Sequence, residues 1–137
     1  SFNSENLYND NVDGVKSILS TTGRGYFIIG IIAPNNEPTN HVLRDIAIYK
    51  DELEKWGRKI VLVFRNQSEA DRFKLSDFPE LPNNIVFGVD SEGQIAAEMP
   101  GTLPVIKIAD TFNRVVFTSE GYTIGIGETL MKAIHKL

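Results

Sequence analysis

Glu37 and His41 stand four residues apart, a spacing that puts a carboxylate and an imidazole on one face of a helix. Such a pair suggests half of a metal site or an acid–base couple. Both lie in Ala33-Pro34-Asn35-Asn36-Glu37-Pro38-Thr39-Asn40-His41, between the apolar run Tyr26–Ile32 and a long helical pattern. The other histidine, His135, is at the far end of the chain, so His41 reads first as a surface or charge-paired side chain. No metal and no cofactor is assigned. The sequence has no cysteine, which removes disulfides, thiolate metal ligands and every thiol mechanism at once. Its serines form no Gly-x-Ser-x-Gly elbow, so a hydrolytic triad is unsupported. Gly121-Tyr122-Thr123-Ile124-Gly125-Ile126-Gly127-Glu128 is glycine-rich ahead of a helix. It lacks a flanking lysine, and Glu128 in the first turn would repel phosphate, so it reads as a turn with a cap.

These residues have to be held by a fold, and 137 residues suffice for one domain that buries roughly two-thirds of its unfolded surface. A hydrophobic content of 42% with 23% charged residues is ordinary globular composition. A net charge of −4 supplies no basic stripe for phosphates, which argues against nucleic acid as a partner. No apolar run approaches the roughly 20 residues that span a bilayer. The chain opens on Ser1 rather than Met, as an excised or processed piece would.

Periodicity then orders the elements. Residues 1–10 read as a loose arm or a short edge strand, and Val12, Val15, Ile18 and Leu19 as a first helix that stops at Thr21-Thr22-Gly23. Tyr26–Ile32 is apolar on both faces, as a central parallel strand would be. Pro38 suits a first helical turn, and Val42, Ile46, Tyr49, Leu53 and Trp56 form a stripe on one helix ending at Gly57. Asp51, Glu52 and Glu54 with Lys50 and Lys55 make its solvated face. Ile60–Phe64 is a second buried strand. Asn66 or Ser68 caps a helix carrying Ala70, Phe73 and Leu75. A proline-punctuated loop leads to the strand Ile85–Val89, then a small helix near Ile95–Met99. Val105–Ala109 and Arg114–Thr118 form a hairpin with Phe112-Asn113 at its tip, and Asp110, Asn113 and Arg114 shape the turn. A last helix starts near Gly127, with Leu130, Ile134 and Leu137 inward. Strands alternating with helices imply a three-layer α/β sandwich, a mixed sheet of four or five strands flanked by helices.

That order, with Pro38 at a strand-to-helix junction and a later loop–Pro104–strand, resembles the thioredoxin-like superfamily over residues 11–137. The nearest branch holds peroxiredoxin-like and membrane-tethered thiol oxidoreductases. Ala33–Thr39 sits where the family has Ala-x-x-Cys-x-Pro-Cys, and Leu103–Asp110 resembles the segment opened by the family's cis-proline. Asn113–Phe117 followed by Glu120-Gly121-Tyr122 resembles its last strand and glycine. The resemblance implies a cis Leu103–Pro104 bond. It also places Asn36 and Thr39 at the two cysteine positions, Asn35 at the usual tryptophan and Gly30 where some members keep a buried acid. Neither an amide nor a hydroxyl can carry out thiol–disulfide exchange.

A second resemblance is to thioredoxin-like modules at the C-terminus of secreted transglutaminase-like proteins of anaerobic gut bacteria. Gly23–Phe27, Glu37–His41, Asp110–Phe117 and Glu120–Gly125 carry it. It implies a non-catalytic accessory domain, periplasmic or secreted, within a larger chain. The expected function is therefore redox-inactive protein binding, or docking to an adjacent domain of the same chain. Its contact residues would be Asn35, Asn36, Glu37, Thr39 and His41 with Leu103, Pro104 and Tyr122. For Asn36 the simpler reading is a helix N-cap. The alternative function is an enzyme with non-thiol acid–base chemistry around Glu37 and His41.

Overall fold

Tyr26–Ile32 carries no charged side chain and no proline, and it becomes the central strand of the sheet. The computed structural model describes residues 7–8, 25–110, 112 and 114–137. In chain order these form β1 (Leu7–Tyr8), β2 (Tyr26–Ile32), α1 (Glu37–Ile48), α2 (Lys50–Trp56), β3 (Ile60–Phe64) and α3 (Gln67–Arg72). A short 3-10 turn, Leu75–Asp77, follows, then β4 (Ile85–Asp90), α4 (Gln94–Glu98), β5 (Val105–Asp110), β6 (Val115–Glu120) and α5 (Ile126–His135). The helix expected from Asn11 lies outside the described residues, as do Thr111 and Asn113 of the hairpin turn.

The strand order is β1-β4-β3-β2-β5-β6. The neighbours β2, β3 and β4 run parallel, whereas β5 and β6 return antiparallel on one side and β1 pairs antiparallel with β4 on the other. Five strands make the body of the sheet, and two-residue β1, within the segment read as a loose arm or a short edge strand, adds a sixth at its edge. This is the α/β sandwich expected from the alternation.

Side chains of successive strand residues point to opposite faces, and both faces are covered. Ile28, Ile32, Ile60, Leu62, Phe64, Ile106 and Ile108 pack with Val42, Leu43, Ile46, Leu53, Leu130 and Ile134 from α1, α2 and α5. Phe27, Ile29, Ile31, Val61, Val63, Val105 and Ala109 pack on the other side with Ile95 and Met99 of the α4 segment. Burying one leucine or isoleucine in such a layer stabilises by about 1.5–3 kcal/mol. Gly30 belongs to the first face. A Cβ there would stand 2.5 Å from Ile106 Cδ1, so the isoleucine fills the space a larger residue would need.

The stripe that suggested one helix to Trp56 is present, but the helix is broken at Tyr49 (φ −102°, ψ 24°). The break seats the Tyr49 ring against α5, where a Cβ on Gly127 would meet Tyr49 Cε2 at 2.8 Å and the Asp45 carbonyl oxygen at 3.1 Å. Asp45 adds a cap from a distance: its Oδ2 accepts the Gly127 N–H at 3.2 Å. Gly57 ends α2 at φ 75°, and Asn66, not Ser68, caps α3 by accepting the Glu69 N–H at 2.9 Å. Phe73 follows α3 as its C-cap, and Leu75 sits exposed in the 3-10 turn. Leu137 is not inward as its spacing implies. The residue is 47% exposed, because α5 ends at His135 and helical periodicity no longer aims the residues beyond it.

Alanine has a better helix propensity than glycine by about 1 kcal/mol. At Gly127 the tyrosine ring and the backbone carbonyl outweigh that preference. Gly127→Ala is expected to lower stability by about 1–3 kcal/mol, the usual cost of overpacking, read from the urea unfolding midpoint. A stabilised variant would mean that the α1–α5 contact is looser than described.

Candidate functional site

The strand register brings three separate loops to one end of the sheet. Val105 pairs with Ile31 on one side and with Glu120 on the other. The segment before Val105, Leu103-Pro104, therefore runs beside the exit of β2, and Gly121-Tyr122 lies on its other flank. The Leu103–Pro104 bond is cis, as the resemblance implies. The Gly121 N–H, at φ 66°, donates to the carbonyls of Thr102 at 2.9 Å and Pro104 at 3.0 Å, tying the two loops together.

After β2 the chain turns through Asn35 at φ 53°, a left-handed conformation that asparagine tolerates better than most side chains. Asn36 is extended, and its Oδ1 accepts the Thr39 N–H at 2.9 Å. That is the N-cap reading, and such a cap is worth about 1 kcal/mol against alanine. Pro38 occupies the first turn, where its missing N–H costs nothing. Thr39 corrects one expectation. Its residue exposure is 0%, and its Oγ1 accepts the Ala33 N–H at 3.3 Å. It fastens the loop from within, so it cannot offer its side chain to a partner.

The exposed part of the site is a chain of contacts from α1 to the loop after β6. Glu37 Oε2 lies 3.5 Å from His41 Nε2, and the His41 ring stacks on Tyr122 with centroids 4.9 Å apart and planes 29° from parallel. The tyrosine covers one imidazole face, leaving the His41 side chain 48% exposed. Asn35, Glu37 and His41 reach solvent, Asn36, Leu103 and Tyr122 are half-buried and Pro104 is buried. Among the described residues, no group of three histidine, aspartate or glutamate side chains is placed to hold a metal ion. The chemistry on offer is one imidazole–carboxylate pair, one phenol and two carboxamides beside a cis-proline loop.

Other polar residues act elsewhere. Asp110 lies at the opposite end of the sheet, paired in register with Tyr26. Its Oδ1 accepts the N–H groups of Phe112 and Arg114, both at 2.9 Å, and its Oδ2 accepts Arg114 Nε at 2.6 Å. Burial pushes the Asp110 carboxyl up, but the Arg114 backbone N–H, the Arg114 guanidinium and the Phe112 N–H together hold it below the ordinary carboxylate range. At α3, the Arg65 fork on Glu69 lowers the Glu69 carboxyl against the opposing effect of its burial. Asp90 reads from sequence only as the start of the turn Asp90-Ser91-Glu92-Gly93, and its capping role was missed: its carboxylate accepts the N–H groups of Ile95 at 3.2 Å and Ala96 at 2.9 Å and so caps α4. Sequence reasoning also passed over Arg44, Arg72 and Lys74, which meet across a polar cleft lined on its α1 side by Asn35 and Asn40. The spacing of Asn40 and Arg44 was the local signal for that cleft. The two cations across it come from a segment about thirty residues further on.

The putative thiol:disulfide interchange protein DsbE from Chlorobium tepidum superposes with a TM-score of 0.69 at 17% identity, over 86% of this chain and 83% of that one. The exposed lipoprotein thioredoxin Etrx1 from Streptococcus pneumoniae gives 0.62 at 15%, over 87% and 90%. A secreted Mycobacterium tuberculosis disulfide oxidoreductase homologous to DsbE gives 0.65 at 10%, over 86% of each chain. No family model matches the sequence, and no curated protein matches it. Identities this low establish the fold alone: the chain has the thioredoxin-like α/β fold, and it holds no cysteine with which to perform thiol–disulfide exchange.

Two predictions follow from this geometry. Asn36→Cys/Thr39→Cys puts two thiols one helical turn apart, within the roughly 4.4–6.8 Å between Cα atoms that a disulfide spans. Mild oxidation is expected to consume both thiols in the monomer; two titratable thiols surviving would break the correspondence with the family's cysteine positions. The second concerns acid. Because the folded Asp110 carboxyl titrates below its unfolded value of about 3.9, its contribution is complete above that pH and lost as the pH falls through the lowered folded value. The urea midpoint should fall between pH 5 and 2 more steeply in the wild type than in Asp110→Asn, which is already weaker at neutral pH. Parallel profiles would remove Asp110 as an acid-sensitive tie.

Proposed function

We propose that this chain is a redox-inactive thioredoxin-like module that binds an extended protein segment, supplied by a partner or by an adjacent domain of the same polypeptide. The observation that carries this reading is what stands at the two cysteine positions of the resemblance. Asn36 is spent as an N-cap and Thr39 is buried under the loop, while Asn35, Glu37 and His41 reach solvent and the half-buried Tyr122 stacks on His41. The cis-proline loop lies at the same end of the sheet, and in this reading the Leu103 backbone would pair with an extended peptide as an added strand does. The buried acid of some family members has no counterpart either, since Ile106 fills the space at Gly30.

The similar structures include an exposed lipoprotein and a secreted protein, which supports a periplasmic or secreted location. The resemblance over Glu37–His41 and Asp110–Phe117 supports a larger parent of the transglutaminase-like kind, in which this module is an accessory domain. No described helix is long and apolar enough to cross a membrane.

Selection of extended peptides on the immobilised protein tests the surface. Affinity for the selected peptides is expected to fall at least about tenfold, or ~1.4 kcal/mol, in the Asn35→Ala/Glu37→Ala/His41→Ala/Tyr122→Ala variant with its unfolding midpoint preserved. Unchanged affinity would sink the assignment. A second reading, an acid–base enzyme without thiol chemistry, is favoured only by the 3.5 Å Glu37–His41 pair. Turnover with a bell-shaped pH profile that His41→Ala abolishes would select it.

A further inference from the structure

A cleft of about 280 Å³ separates α1 from the end of α3 and the segment that follows it. Asn40 and Arg44 line it from α1, and Arg72, Lys74 and Asp77 face them from across. Three cations thus converge with a single carboxylate, on a chain whose net charge is −4. Among the described residues, Arg65 pairs with Glu69, Lys50 with Glu80, Arg114 with Asp110 and Lys132 with Glu128, and the Arg72 charge adds to that of Arg65 on Glu69. Arg44 lies over the Phe78 ring, 5.9 Å from its centroid, a cation–π contact within the cleft lining.

We propose that this cleft binds an acidic peptide segment of a partner protein. Guanidinium groups at Arg44 and Arg72 match carboxylates as bidentate forks, and Lys74 adds a mobile point charge. The carboxamides of Asn35 and Asn40 supply donors and acceptors suited to a peptide backbone. Phe73 and Phe78 provide apolar wall area that a lone inorganic anion would leave uncovered. A local positive field on an acidic protein also steers an acidic segment to this spot and away from the rest of the surface. The cleft shares only Asn35 with the surface around His41 and Tyr122, and the test below uses none of that surface's residues.

The experiment is fluorescence anisotropy with a labelled glutamate-rich peptide and a glutamine-rich peptide of equal length, on the whole chain. The glutamate peptide is expected to bind, more weakly as salt rises, and to lose at least about tenfold affinity in Arg72→Gln/Lys74→Gln. Both positions are exposed, and the unfolding midpoint verifies that the variant is folded. Lys107→Gln is the charge control. Lys107 alternates with Ile106 and Ile108 along β5, so it points to the opposite face, where its Nζ donates to the Glu98 carbonyl at 3.3 Å; affinity should stay unchanged. Equal binding of the glutamine peptide, equal losses in the two variants, or no binding at low salt each overturn the proposal. So does displacement by inorganic phosphate as readily as by unlabelled glutamate peptide, which would assign the cleft to simple anions.

Discussion

Everything in this molecule hangs on β2 being buried on both of its faces. A strand covered on both sides must pair on both edges, because an unpaired backbone N–H or carbonyl in that position would cost a lost hydrogen bond. The strand therefore takes β3 on one edge and β5 on the other, one parallel and one antiparallel. Once those registers are set, the exit of β2, the Leu103-Pro104 loop and Gly121-Tyr122 have to share one end of the sheet. The candidate site follows from hydrogen-bond register more than from any attraction among its own side chains.

The same end of the sheet shows how the polar residues of the loop between β2 and α1 are used by the backbone. A helix N-terminus leaves four N–H groups without intrahelical partners, and something must answer them. Here Asn36 meets part of that need, and Thr39 answers the N–H of Ala33 just upstream. Asn36 and Thr39, which the resemblance sets at the two cysteine positions, thus serve as a cap and a buried tie. What faces outward instead is Glu37, His41 and Tyr122, polar groups linked by a charge contact and a ring stack.

How legible was this in the sequence? The α/β sandwich was, since apolar runs of strand length alternating with a period near four residues leave few architectures. The Asn36 cap, the Gly57 stop and the Asp110 turn were too, because each is settled within a few residues of backbone. The break at Tyr49 was not, because it depends on α5 arriving more than seventy residues later with a glycine at the contact. The burial of Thr39 was hidden for a similar reason: a threonine among asparagines reads as polar surface, and only the path of Ala33 shows that its hydroxyl is used inside.

By itself, then, the sequence determined what this protein cannot do and how its segments are built. Without a thiolate there is no thiol–disulfide exchange, and composition and local periodicity decide strands, helices and caps because those forces act over a few residues. Only the tertiary structure decided which side chains meet. His41 and Tyr122 are about eighty positions apart, and Arg44 faces Lys74 across thirty, distances over which spacing carries no geometric information. Sheet register and helix packing close those gaps, because they are the interactions that join parts of the chain remote in sequence.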